Sequence, residues 1–159
     1  MGLQVLRVYE GAIRKVLEFV RDGRAEEGLW FHCTGGTPCL HNTAGRDRTG
    51  VVAGLLLSLA GASADTIRLD YMLSRIGYEV VREQLVGALA SSLKGAMPAE
   101  TGTAAIGLRT MSNLSISCWD AFVKAVDDEY GGFEGYVTGT LGFSAEDVAR
   151  IKANLVLPN

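Results

Sequence analysis

The residues with chemistry to offer lie between positions 31 and 50, "FHCTGGTPCLHNTAGRDRTG". His32 and Cys33 follow a short apolar run, and a thiol held at a strand end beside amides and arginine has its pKa lowered toward the nucleophilic thiolate. The later half, "AGRDRTG", sets Gly45 and Gly50 around Arg46 and Arg48, directly ahead of an apolar stretch that reads as a helix. Amides at a helix N-terminus present N–H donors and the positive end of the dipole to an anion, and a guanidinium adds a two-pronged fork. The stretch thus offers a candidate nucleophile in Cys33 and, separately, a candidate anion site in its "AGRDRTG" half. The plainer alternatives are that Arg46, Asp47 and Arg48 form a solvated charge cluster and that Cys33 is an inert small hydrophobe.

Helices have to position this loop, because helical periodicity runs through most of the chain. Val5, Tyr9, Ala12, Ile13, Val16, Leu17 and Val20 recur at three- and four-residue spacing, giving a helix from about residue 4 to 21 that Gly23 ends. Leu29, Trp30 and Phe31 form the one convincing strand. From Gly50, "GVVAGLLLSLAGAS" is apolar nearly all round, as expected of a helix at the centre of a core, with its stop near Gly61. Ser63 can cap the next helix, which is expected to break near Gly77. In "DYMLSR", Tyr71, Met72 and Leu73 read as core packing and Asp70 as a local hydrogen-bonding residue. Residues 94–113 have no steady period and read as loop. Trp119, Phe122, Val123 and Val126 mark a further helix ending at "YGG". The stretch "FEGYVTGTLG" reads as a short helix closed by Gly142, and Ser144 with Asp147 forms a capping box for a last helix to about Leu155.

The whole composition limits the options. With 159 residues, 48% of them hydrophobic, the chain can bury one core of ordinary size, so residues 1–159 read as a single domain. A net charge of −3 gives no general attraction to nucleic acid or an anionic membrane, so any positive site must be local. No run of about eighteen apolar residues suggests a transmembrane segment, and no signal-peptide layout is seen, which together point to a soluble cytoplasmic protein. Three cysteines argue for reduced thiols over a disulfide framework.

"FHCT" followed by "AGRDRTGVVAGLLLSLAG" resembles the signature of the protein tyrosine phosphatase superfamily, most closely its atypical tyrosine-specific and dual-specificity branch, where the loop reads HCxAGKDRTG. "IRLDYMLSRIG" is similar to the segment after the loop helix in that branch, and "EYGGFEGYVTGTLGFSAEDVARIKANL" to its helical tail. The resemblance implies an α/β, tyrosine phosphatase-like fold, represented mainly by its helical C-terminal part with a reduced sheet. It further implies two-step hydrolysis of a phosphate monoester through a cysteinyl-phosphate, on a phosphorylated protein or a phosphoinositide, with no cofactor and no metal. Cys33 falls on the nucleophile, Arg48 on the arginine that clamps the equatorial oxygens, and Thr49 on the hydroxyl that steadies the departing thiolate. His32 would orient the loop, while Ala44, Gly45, Arg46, Thr49 and Gly50 would line the phosphate. Arg46 stands where the branch has lysine, which keeps the charge but changes the donor geometry.

Two departures bear on activity. The family loop has five residues between cysteine and arginine, so that the backbone wraps once around a phosphate, whereas Cys33 and Arg48 here have fourteen between them. Removing residues 35–43, "GGTPCLHNT", restores "HCTAGRDRTG"; with them in place the loop is expected to be disrupted and catalysis weak or absent, leaving a pseudophosphatase or binding module as the alternative. Cys39 is no substitute nucleophile, since eight residues separate it from Arg48. Upstream of Cys33 the family's several strands and its acid-bearing loop are lacking, so the chain reads as N-terminally truncated relative to the family. Asp22 is the only upstream aspartate and sits at a helix end, which makes Asp47 the better candidate for the general acid. Around the insertion, His32, Cys33, Cys39 and His41 are four possible ligands within ten residues but are spaced poorly for zinc, and Cys33 with Cys39 could form a regulatory disulfide. Cys118, on a helix with no partner motif, reads as a buried inert thiol.

Overall fold

The apolar stripe at the N-terminus folds as two helices, α1 (Gly2–Val8) and α2 (Glu10–Arg21), and not one. They part at Tyr9, whose backbone (φ −104°, ψ 19°) leaves the helical region while its amide still bonds the Val5 carbonyl at 3.0 Å. The two halves serve different neighbours: α1 packs on α3 (Asp47–Leu59) and α5 (Ile116–Tyr130), whereas α2 packs on α7 (Ala145–Leu155). The computed structural model describes residues 2–23, 28–29, 31, 47–80, 83–84 and 115–156. Between those helices lie α4 (Ala64–Glu79) and α6 (Phe133–Gly135), the latter widening into a π-helical turn over Tyr136–Thr140.

Helix α3 lies at the centre, packing against α1, α4, α6 and α7. Its all-round apolar sequence suits that position: Val51, Leu55 and Leu59 are buried, and Val52, Leu56 and Leu57 pack against the core from its flanks. It ends at Gly61, in the left-handed region (φ +82°), where the Ala62 amide bonds the Leu57 carbonyl and the Gly61 amide bonds that of Ser58. These two bonds occupy carbonyls that the helix end would otherwise leave open. The expected stop at "YGG" is found at Gly131, and the Ser144–Asp147 capping box is complete. Ser63 caps α4, its hydroxyl accepting from the Thr66 amide at 3.2 Å. Tyr136 is wholly buried under α1 and donates to the Leu6 carbonyl at 2.7 Å, and burial pushes its phenol above the usual range.

Several expectations need correction. Leu29 and Phe31 are in neither helix nor strand, and no strand occurs among the described residues, so the anticipated reduced sheet is not seen there. A strand exists only where a second segment offers its ladder of donors and acceptors, and among the described residues every regular element is helical. Helix α4 runs through Gly77 without breaking; one glycine costs a helix only about 1 kcal/mol, less than the interruption would. Leu73 is 51% exposed, because α4 turns its inner face to α3 and α5 and Leu73 lies on the other side. Cys118 is exposed, not buried. The anticipated loop over 94–113 lies outside the described residues, and among those described no helix is long and apolar enough to cross a membrane.

Candidate functional site

The first turn of α3 carries Asp47, Arg48, Thr49 and Gly50, four of the residues singled out in the loop. His32, Cys33, Ala44, Gly45 and Arg46 lie outside the described residues, as do Cys39 and His41, on which the zinc and disulfide readings rested. The N-terminal turn of a helix concentrates unpaired amides and positive dipole, which suits an acidic residue or a bound anion.

Each of the two charged residues in this turn is bonded by a tyrosine from another part of the chain, Tyr9 at the junction of α1 and α2 and Tyr71 in α4. Arg48 donates from Nη1 to the Tyr9 hydroxyl at 2.9 Å, and its guanidinium carbon stands 5.3 Å from the centre of the same ring. Asp47 is only 8% exposed and accepts a hydrogen bond on Oδ1 from the Tyr71 hydroxyl at 3.2 Å. The pair is not a solvated charge cluster, at least at Asp47: a carboxylate this buried has to be compensated by donors.

Glycines make room for the arrangement. Asp47, Gly50 and Gly54 fall on one face of α3, three and seven residues apart. A Cβ at Gly50 would come within 2.8 Å of the Tyr71 ring, and one at Gly54 within 2.5 Å of the Trp119 ring. Without those atoms, the edges of the Tyr71 and Trp119 rings come close to the helix, and the two rings stack on each other with centroids 4.4 Å apart. Gly50, expected only as a phosphate-lining residue, therefore also shapes the seat of Tyr71. Beside the pair lies a cavity of about 350 Å³, with Asp47, Val51, Tyr71, Cys118, Trp119 and Phe122 in its wall.

Tyr9 and Tyr71 escaped the reading of the sequence. Both were assigned to apolar stripes, where a tyrosine counts as one more hydrophobe. The signal that could have found them is the phenol itself, since a buried Tyr usually needs a polar partner. Asp22, set aside as an acid on sequence grounds, ends α2 and is paired with Arg21 at 3.0 Å.

A family model described as "Tyrosine phosphatase family" matches residues 2–157. The chain belongs to the tyrosine phosphatase family, and its fold is accordingly phosphatase-like, with the helical part the one described here. Among its relatives is a tyrosine-protein phosphatase of Nostoc commune, 32% identical over 120 residues, which covers 76% of this chain and 39% of that protein. Another, from Cupriavidus necator and named provisionally as a tyrosine-protein phosphatase, is 26% identical over 136 residues, covering 86% of this chain and 42% of that one. The chain thus spans about two fifths of the length of the curated relatives it matches.

Proposed function

We propose that this chain carries the nucleophile and the phosphate clamp of a phosphate monoester hydrolase, acting foremost on protein phosphotyrosine. The Cys33 thiolate attacks phosphorus, the ester oxygen leaves with a proton from Asp47, and a cysteinyl-phosphate forms. Water then attacks that phosphorus, giving its proton to Asp47, and the Cys33 thiolate departs with the hydroxyl of Thr49 beside it. Arg48 bridges the equatorial oxygens in both steps, where removing one such donor costs about 10²–10³ in rate. His32 orients the loop; Ala44, Gly45, Arg46 and Gly50 line the phosphate. No metal or other cofactor enters this scheme, since arginine and amides supply the positive charge.

The observation that carries the reading is the first turn of α3, where Asp47 and Arg48 stand side by side at a helix N-terminus, each fixed by a phenol. Family membership supports the chemistry, and the names of the two relatives support the substrate class. The fourteen residues between Cys33 and Arg48 favour a second reading, a pseudophosphatase that binds a phosphorylated partner without turnover. Phosphate release from a phosphotyrosine peptide and from a soluble phosphoinositide headgroup, measured side by side, separates the options. Faster release from the peptide is expected. Faster release from the headgroup assigns the phosphoinositide reaction, and binding of the peptide with no release from either assigns the pseudophosphatase.

A further inference from the structure

Resting on the phosphatase reading, we propose that Tyr9 is the positioning residue for Arg48: its hydroxyl and ring preset the guanidinium at the first turn of α3, so that a phosphate arriving there meets a cation already in place. Arg48 donates from Nη1 to the Tyr9 hydroxyl at 2.9 Å, and its guanidinium carbon stands 5.3 Å from the centre of that ring. The two contacts constrain different things. The hydrogen bond fixes the reach and direction of one nitrogen, whereas the cation–π contact fixes where the charged head lies relative to a ring face. Helical side chains lean toward the N-terminus of their helix, so Arg48, the second residue of α3, extends toward the end where amides and dipole favour an anion.

The fold makes Tyr9 a fixed post. Its amide closes α1 on the Val5 carbonyl at 3.0 Å, and its own carbonyl accepts the first bonds of α2, from the Ala12 and Ile13 amides at 3.0 and 2.9 Å. The junction is therefore pinned from both sides, and Leu6, just before it, is anchored by the Tyr136 hydroxyl. Any apolar residue at position 9 would serve the stripe that runs through Val5 and Ile13. The hydroxyl needs a further reason, and Arg48 supplies it. Tyr9 is thus coupled to the phosphate through Arg48 without itself touching substrate.

A double-mutant cycle in the full chain tests this, because it isolates the Tyr9–Arg48 pair from the other contacts of either residue. Binding of inorganic phosphate is measured by calorimetry for the parent, Tyr9→Phe, Arg48→Met and the double variant. Tyr9→Phe is expected to weaken binding about tenfold in the parent, the scale of one hydrogen bond to a charged group. Where Arg48 is already gone, the same change is expected to alter binding by no more than about twofold, the scatter of additive sites. In hydrolysis, kcat/KM should fall with Tyr9→Phe by the factor lost in binding. Where the Arg48→Met variants bind too weakly to measure, nitrogen NMR of the Arg48 guanidinium decides, with rotation of its head expected to be faster in Tyr9→Phe than in the parent. Equal weakening in both backgrounds, tighter binding with Tyr9→Phe, or a guanidinium that turns no faster in Tyr9→Phe overturns the proposal. A parent chain that binds no phosphate overturns it together with the phosphatase reading; one that binds phosphate without turnover counts against hydrolysis alone, and the cycle still decides the role of Tyr9.

Discussion

Arg48 gives one of its donors to Tyr9 and lies near the face of the same ring, so the guanidinium is held by a hydrogen bond and a cation–π contact together. Such a group loses less freedom when it closes on an oxyanion than one swinging from a mobile stem. Tyr9→Phe keeps the ring and removes the bond; tungstate binding by calorimetry is expected to weaken roughly tenfold, the equivalent of about 1.4 kcal/mol. A second test at this scale lies far from the loop. The Ser144 amide and hydroxyl donate to Asp147, and the nearby Arg21 and Arg150 add positive charge, so the Asp147 carboxyl is held below the ordinary aspartate range. A depressed folded pKa stabilises the fold above the unfolded value, and that contribution is lost as pH falls through the folded one. Chemical denaturation below the ordinary aspartate range should therefore show stability declining with acid, and Asp147→Asn should remove that part of the decline. That Asp47 and Arg48 open a helix was legible in the sequence, because "GRDRTG" runs directly into an apolar stretch of helical length. Tyr9 and Tyr71 were not, because spacing reveals which face a ring occupies and says nothing of where its hydroxyl reaches.

Among the elements, α3 is central. Its N-terminal turn carries Asp47 and Arg48, and its length is wedged between α1, α4, α6 and α7. The hollows at Gly50 and Gly54 set how closely the aromatic pair from α4 and α5 can approach it. Gly54→Ala forces the Trp119 ring away and should cost about 1–3 kcal/mol, read as a lower denaturation midpoint with an unchanged slope; a midpoint equal to the parent's would contradict this packing. Helix ends were largely readable, since the caps at Ser63 and Ser144 and the left-handed glycines at 23, 61, 131 and 142 act within a few residues of chain. The break at Tyr9 and the π turn at Tyr136–Thr140 were not. Both are settled by tertiary packing: α1 and α2 serve different partners, and the Tyr136 hydroxyl reaches Leu6, far away in the chain. The expected strand at Leu29–Phe31 rested on three apolar residues, too short a run to specify a ladder without a partner.

At the scale of the molecule, the core joins both ends of the chain. Leu6, Leu17, Leu55, Tyr136 and Ile151 are all fully buried in one cluster, so the turn that carries Asp47 and Arg48 is braced by segments from residue 5 to residue 151. Exposed ion pairs between helices, Arg7 with Glu129 and Arg68 with Asp120, add little to this, as solvent-facing pairs generally do. The family match places the chain among tyrosine phosphatases, and the cysteine mechanism proposed above turns on residues 35–43, which lie between Cys33 and Arg48 in the sequence. The central claim is that Cys33 and Arg48 act on one phosphate when the chain between them is short enough to wrap it. Hydrolysis of an aryl phosphate by the chain lacking residues 35–43, with and without Cys33→Ser, tests that claim most directly. The shortened chain is expected to turn over faster than the full one and to lose all turnover with Cys33→Ser; an inactive shortened chain, or turnover that survives Cys33→Ser, would contradict it.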